Sequence, residues 1–504
     1  MERSSGIFLH ITSLDSPYGI GTLGSSAYAF ADFLKCAGQS YWQILPLGIT
    51  GYGDSPYQPY SFFAGNPLLI DLDLLVSDGL LDASELDSLS AVRSPSYVDY
   101  DEIRATRKRL LASAHRRADA DTKRAVRAFA EENAEWIEDF GLFMALKQHF
   151  HDVSWQDWPV DIRLRHPKAL EKYKKVLADD IDLHYFIQFM FFKQLHNLKA
   201  YVNGLGIQLI GDLPIYSSED SVDVWANPEL FDLNEDLRAQ HISGVPPDYF
   251  SPDGQLWGNP LYNWRAHKAS GYQWWLKRIE AVCRCADVIR IDHFRGFWNY
   301  WCVHAGARTA QKGTWKFGPG MDFVHAVRSA FPHVPIIAED LGLLSAGARR
   351  FVRESGYPGM NVLQFSFNAA KPAAGAPHTF IENSVCYTGT HDNTTISAWY
   401  EEASAGDRNH AKRYVGLNDE EGIARGLIRC GMASPSRLFI APMQDWLELG
   451  SSARMNTPGT VGMNWQWRML PGQCTARLAS DIRKVTKTFS RIPNRKRRKQ
   501  NDDI

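Results

Sequence analysis

Eight short runs of apolar, often β-branched residues recur along the chain, each stopped by a turn former or a charged side chain. They are Gly6–Ile11, Tyr41–Pro46, Gly206–Gly211, Asp287–Asp292, Val334–Glu339, Asn361–Phe367, Ser384–Thr390 and Arg437–Pro442. Between most of them apolar residues return at helical spacing, as in Ala27–Ala37, Tyr185–Asn203, Trp274–Ala286 and Phe323–Phe331. Near-continuous apolar strands alternating with helices predict a parallel sheet covered on both faces. Eight repeats predict its closure into a (β/α)8 TIM barrel, an α/β fold.

The spacing is uneven between the second and third runs. Roughly 160 residues lie there, far beyond an ordinary crossover. This stretch includes Tyr100–Phe150, rich in Arg, Ala and Glu at helical spacing, and Trp155-Gln156-Asp157-Trp158. It predicts a large, mostly helical insertion at about 68–183, placed on the catalytic face. A second insertion, at about 217–264, is rich in Pro, Gly, Asp and aromatics and predicts ordered, substrate-covering loops. One catalytic barrel thus spans 1–480. The tail 481–504 carries nine Lys or Arg against three Asp, which predicts a solvated, frayed terminus.

Composition narrows the function classes. The chain has 504 residues, 44% hydrophobic and 22% charged, which are globular proportions. Its 55 basic and 57 acidic residues leave a net charge of −2, giving no general pull on nucleic acid or anionic lipid. Seven scattered cysteines make no disulfide framework, and Cys283-Arg284-Cys285 has no second pair at zinc-like spacing. No apolar run reaches membrane-spanning length, and Met1-Glu2-Arg3 opens no signal peptide, so a cytoplasmic setting is expected. The 16 Trp, 20 Tyr and 26 Phe supply flat faces that match the C–H-rich face of a pyranose, although large cores use such rings too.

In such a barrel the active site lies at the carboxyl ends of the strands. Four polar groups end strands here: Gly211-Asp212-Leu213-Pro214, Arg290-Ile291-Asp292-His293-Phe294-Arg295, Ala338-Glu339-Asp340 and Gly389-Thr390-His391-Asp392-Asn393. Any one of them alone reads as a paired structural charge; four converging on one mouth favour catalysis. Several carboxylates without a Ser-His or Cys-His arrangement suit glycosyl transfer, in which one carboxylate attacks and a second moves the proton. Asp292 beside Arg290 is expected to have a depressed pKa and to serve as the nucleophile. Glu339, after an apolar run, is expected to be raised and to serve as general acid/base. Asp392 beside His391 is expected to hold sugar hydroxyls and stabilise positive charge. No metal or cofactor is expected.

Taken together, the motifs resemble those of the amylomaltases. They are Gly53-Asp54-Ser55-Pro56-Tyr57-Gln58-Pro59-Tyr60, Gly211–Tyr216, Arg290–Arg295, Ala338–Gly342, Gly389–Asn393, Asn456-Thr457-Pro458-Gly459 and Asn464-Trp465-Gln466-Trp467-Arg468. That is the 4-α-glucanotransferase or disproportionating-enzyme family, glycoside hydrolase family 77, related to the α-amylases. The resemblance covers about Gly6 to Arg468, with the motifs in family order. It implies retaining exchange of α-1,4-glucan segments through a covalent intermediate, with Asp292, Glu339 and Asp392 as nucleophile, acid/base and stabiliser. It further implies that Ser55, Tyr57, Asp212, Arg290, His391 and Asn464 bind substrate. Gln255-Leu256-Trp257-Gly258-Asn259 resembles the flexible loop over bound glucan. The implied partners are maltooligosaccharides and starch- or glycogen-derived α-glucans, handled by a monomer or homodimer. Ser217-Ser218 and Thr394 depart from the family pattern.

Two rival functions stay open from sequence: an α-glucan hydrolase and a glucan binder that has lost its chemistry. Gly19-Ile20-Gly21-Thr22-Leu23-Gly24 fits a dinucleotide fingerprint, but seven residues separate it from the strand and no acidic residue follows at the required spacing. A substrate-side turn is the better reading. The segment Pro246–Trp264, with the helical insertion, is expected to close over the site and keep water out.

Overall fold

The computed structural model describes residues 2–89, 95–247, 251–342, 344–371 and 375–493. Its strands are β1 (Ser4–Phe8), β2 (Tyr41–Gln43), β3 (Gln208–Leu213), β4 (His241–Val245), β5 (Gln255–Pro260) and β6 (Val288–Ile291). They continue as β7 (Asn299–His304), β8 (Thr314–Phe317), β9 (Ile336–Ala338), β10 (Gly359–Val362), β11 (Ser384–Tyr387) and β12 (Leu438–Pro442). Eight of these, in the order β10-β11-β12-β1-β2-β3-β6-β9, form one parallel sheet, and each overlaps or abuts a predicted run.

The sheet curls into a nearly closed barrel. Phe8, Ile210, Val288, Ile337, Val362, Val385 and Ile440 share one buried cluster, while their strand neighbours Ile7, Leu209 and Phe439 pack in another. Residues on alternate sides of the same strands are thus both buried, which is why the runs are almost continuously apolar. The remaining seam, between β9 and β10, is closed by two hydrogen bonds. Ala338 N–H donates to the Pro358 carbonyl at 2.9 Å, and Met360 N–H donates to Asp340 Oδ1 at 2.7 Å. A carboxylate here takes the place of a strand carbonyl.

Between β2 and β3 the chain is mostly helical, as the spacing predicts, with helices Tyr100–Arg117, Ala120–Glu132, Ala134–His149, Pro167–Val176 and Ala178–Gly204. Asp99 and Asp119 cap the first two by accepting from Glu102 N–H and Thr122 N–H. The last helix is tied to the segment after β2 by two glutamines. Gln188 brackets the Gly65 peptide and Gln194 the Asp71 peptide, each accepting from N–H and donating to C=O. Phe191 lies so close over Gly65 that a β-carbon there would sit 2.0 Å from its ring, so only glycine fits.

Two features depart from the sequence expectation. A second, antiparallel sheet, β5-β4-β7-β8, stands on the loops after β3 and β6. Its strands are short and unevenly buried, β4 being buried at its three middle positions and β8 exposed at all four, so no shared alternating pattern announces them. The basic tail does not begin as a frayed end. Helix Ala476–Thr488, capped by Thr475, runs through the expected boundary at 480 and packs on helix Ser25–Cys36. Arg491 is fully buried and donates to the carbonyls of Ser4, Met432, Ser434, Ser436 and Arg437. A guanidinium can be buried there because carbonyl acceptors surround it. The stretch 494–504 and residues 248–250 of the expected lid lie outside the described residues. Among the described residues no helix is long and apolar enough to cross a membrane.

Candidate active site

Register builds the centre of the site. Asp212 on β3 pairs directly with Arg290 on β6, so their side chains share a face. Arg290 Nη1 lies 2.8 and 2.6 Å from the two Asp212 oxygens and 3.1 Å from Asp292 Oδ1. Both partners of the first pair are almost wholly buried, and Tyr57 OH completes it by donating to Asp212 Oδ2 at 2.6 Å. One strand further round, Ile291 on β6 pairs with Ala338 on β9. The next residue on each strand is a carboxylic acid: Asp292 and Glu339.

The backbone turns sharply after Asp292. His293 sits at φ +47, and its N–H donates to Glu339 Oε2 at 2.7 Å. Leu341 N–H donates to Glu339 Oε1 at the same distance. Glu339 is thereby held at both oxygens, while the adjacent Asp340 turns the other way to close the barrel seam. Consecutive carboxylates serve opposite sides of one strand end.

Burial raises Asp292 well above the usual carboxylate range; Arg290 opposes this, and Asp212, Glu339 and Asp392 add to it. This corrects the depressed value expected from the Arg290 neighbour alone. A single guanidinium, already paired to Asp212, does not outweigh desolvation and three like charges. Glu339 is also raised, as expected, chiefly by burial and further by Asp392, against Arg290 and the two N–H donors. Burial lowers His391, with Arg290 adding and Asp392 opposing, and burial holds the Tyr57 hydroxyl in its protonated form.

Loops supply the rest. His391 stacks on Tyr57 with ring centroids 4.9 Å apart, and its Nε2 lies 3.3 Å from Asp392 Oδ1. Trp257 on β5 meets His293 edge-on at 4.9 Å and is half buried, with Nε1 donating to Gln255 Oε1 at 3.1 Å. It therefore has ring surface beyond its packing contacts. Asn259 and Gln58 exchange hydrogen bonds at 3.2 and 3.0 Å, joining the second sheet to the Tyr57 loop. Ser55 Oγ accepts from Tyr57 N–H at 3.3 Å and so supports Tyr57 from behind. Asn464 is not brought to the carboxylates by any contact. It accepts from Thr457 N–H and donates to the Thr460 carbonyl, pinning the loop between them.

Three contributors were absent from the sequence-derived set. Asn456 Nδ2 donates to Asp392 Oδ1 at 2.6 Å, and its N–H donates to the His391 carbonyl at 3.0 Å. Arg454 donates to the Asp392 carbonyl at 2.6 Å. Trp465 packs against both Tyr57 and His391. Asn456 and Trp465 lie inside quoted motifs, but nothing in the sequence says which neighbour they touch. Among the described residues no group of three or more His, Cys, Asp or Glu side chains could hold a metal ion.

The comparisons with known proteins agree with one another over almost the whole chain. The family model described as 4-alpha-glucanotransferase matches residues 9–474. The 4-alpha-glucanotransferase of Streptococcus pneumoniae (serotype 4) is 45% identical over 494 residues, covering 97% of this chain and 98% of that protein. The Thermus thermophilus 4-alpha-glucanotransferase is 42% identical, covering 98% and 100%. Among solved structures, amylomaltase from Streptococcus agalactiae in complex with acarbose superposes with a TM-score of 0.95 at 41% identity, covering 97% of this chain and 100% of that one. With a whole-length family match and a superposable fold behind the strand-end carboxylates, the chain belongs to the 4-alpha-glucanotransferase family.

Proposed function

We propose that this chain is a 4-α-glucanotransferase that moves a segment of an α-1,4-glucan to the 4-position of an acceptor glucan or glucose, with retention. The observation that carries the mechanism is the placement of Asp292 and Glu339 one residue beyond a register pair on adjacent parallel strands. Neighbouring strands lie about 4.8 Å apart, which suits the roughly 5–5.5 Å separation that retention requires. The names of the relatives support transfer of α-glucan, and the Streptococcus agalactiae amylomaltase is a protein of this fold solved in complex with acarbose.

In the first half-reaction an Asp292 oxygen attacks the anomeric carbon as the bond to the leaving oxygen breaks. Glu339 gives that oxygen its proton. Burial favours the protonated form of Glu339, while Arg290 at 3.1 Å favours the ionised form of Asp292. In the second, the acceptor 4-hydroxyl loses its proton to Glu339 and displaces Asp292. Asp392, held by Asn456, faces the positive charge that develops in both steps. Tyr57, Asp212, Arg290 and His391 surround the reacting sugar.

Trp257, Gln255 and Asn259, on the inserted 217–264 segment, cover the glycosyl-enzyme and keep water away while the acceptor enters. That segment and the helical 68–183 insertion serve as subdomains of one barrel. A cytoplasmic setting is supported by seven unpaired cysteines.

The test is purified protein with maltotriose alone, products separated by length and reducing ends counted, with Asp292→Ala alongside. Glucose plus a ladder of longer oligosaccharides at constant reducing ends, absent from the variant, is the expected result. Rising reducing ends without longer products would make the chain a hydrolase. An unchanged mixture from maltotriose and from longer maltodextrins would leave a binder.

A further inference from the structure

A cavity of about 630 Å³ lies between the helical insertion and helix Gln273–Cys285, and none of Asp292, Glu339 and Asp392 lines it. Its size is that of a small-ligand site. Phe63 and Trp136, both half buried, stand on its wall with near-parallel rings, 6.4 Å apart at 19°. The Trp136 Nε1 already donates to Asn133 Oδ1, so the indole offers its face rather than its edge. Trp274, Phe129, Phe189 and Phe192 add further aromatic side chains.

The polar lining decides what kind of ligand fits. Each of the three cations on the wall is already paired. Lys193 pairs with Asp78, Lys277 with Glu135, and Arg284 with Glu280 and the Asn133 side chain. Five carboxylic acids, Glu132, Glu135, Asp139, Asp223 and Glu280, share the same wall. An anion such as a phosphate ester therefore finds no unpaired cation and an excess of like charge. A purely apolar ligand would strand these groups without water. Aromatic faces among carboxylates and amides suit a neutral, polyhydroxylated ring.

We propose that this cavity is a non-catalytic binding site for a short stretch of α-1,4-glucan, holding the polymer at a distance from the bond being exchanged. The choice of α-glucan rests on the proposed function; the preference for a neutral sugar rests on the cavity alone. The site adjoins the catalytic mouth through the backbone. Ser61 and Phe63 follow directly on the loop that carries Tyr57 and Gln58. Val222 N–H donates to the Tyr60 carbonyl, and Asp223 Oδ2 accepts from Phe62 N–H at 3.0 Å. A glucan held here sits on the same strap of chain as the reacting sugar.

The test uses full-length Asp292→Ala protein, which does not turn substrate over, titrated calorimetrically with maltoheptaose. Two classes of site are expected. Trp136→Ala added to that background removes one of them, and so does Ala226→Phe, which fills the cavity instead of emptying its wall. Binding at the remaining class shows that each variant is folded. In an otherwise unmodified enzyme, Trp136→Ala leaves maltotriose turnover within about twofold and raises KM for amylose at least about fivefold. A single class of site in Asp292→Ala, or survival of both classes in either double variant, overturns the proposal. Failure of the catalytic reading shows itself separately, as unmodified protein that does not disproportionate maltotriose, and leaves the count of sites unaltered.

Discussion

Asp212, Arg290, Asp292 and Glu339 leave the ends of three adjacent strands, whereas Tyr57, Trp257, Asp392 and Asn456 reach the same mouth on loops and on the second sheet. The first group is positioned by backbone register, and Asp212 has no exposed side-chain surface. The second is positioned by side-chain hydrogen bonds and ring contacts, and the Asp392 side chain is 46% exposed. Moving a strand-end residue requires breaking the sheet; moving a loop residue requires losing one or two hydrogen bonds. The barrel side is thus fixed before substrate arrives, while the loop side can adapt to it.

The largest effect should come from the barrel side. Glu339→Gln should lower kcat by about 10²–10⁴-fold, with recovery on a glucosyl fluoride donor whose leaving group needs no proton. A variant equally impaired on both donors would show that Glu339 acts only by position. Next comes the loop side held by one bond. Asn456→Ala removes a charge-assisted hydrogen bond worth about 1.5–3 kcal/mol, so kcat should fall by roughly 10–100-fold with KM little changed. A loss confined to KM would place Asp392 outside the transition state.

Trp257→Ala tests whether the second sheet guards the intermediate. Hydrolysis should rise against transfer by roughly tenfold, counted as reducing ends released per bond transferred. An unaltered ratio would remove Trp257 from water exclusion.

The smallest effect concerns Asp340, the strand-end acid that faces away from the chemistry. Burial pushes its pKa up to about 6, from an ordinary value of 3.8. The folded chain therefore binds this proton more tightly than the unfolded chain does. Its contribution to stability is complete below about pH 4 and is lost as the pH rises through about 6. Asp340→Asn keeps an acceptor for Met360 N–H and cannot ionise. Its melting temperature should gain on the unmodified protein between pH 4 and 7, by the equivalent of about 1–3 kcal/mol. Parallel melting curves would mean that Asp340 stays ionised throughout.

The two sides also differed in how far the sequence disclosed them. Strands buried on both faces leave apolar runs, so all eight barrel strands were legible, and the charges that end them pointed to the mouth. The second sheet was hidden because its short strands share no period: β4 is buried at its three middle positions, Ile242, Ser243 and Gly244, whereas β8 is exposed at all four. Spacing along the chain also says little about balance within a cluster. Arg290 next to Asp292 suggested a depressed acid, yet the guanidinium is shared with Asp212 on another strand. Asn456 and Asp392 are 64 positions apart, and only the folded loops bring them together. Asp340 sat in a motif beside Glu339, but its task at the seam follows from the register of β10.

The clamp made by Arg491 has a consequence for the order in which the molecule is made. β1 pairs with β12, whose residues follow it by roughly 430 positions, and Arg491 then binds the Ser4 carbonyl. At common elongation rates the ribosome needs roughly 20–90 seconds to deliver that partner. Throughout that interval the growing chain carries an open edge of apolar strand, a template for pairing with other nascent chains. The first strand of the barrel thus waits for the last before that edge is covered, and slower translation lengthens the wait.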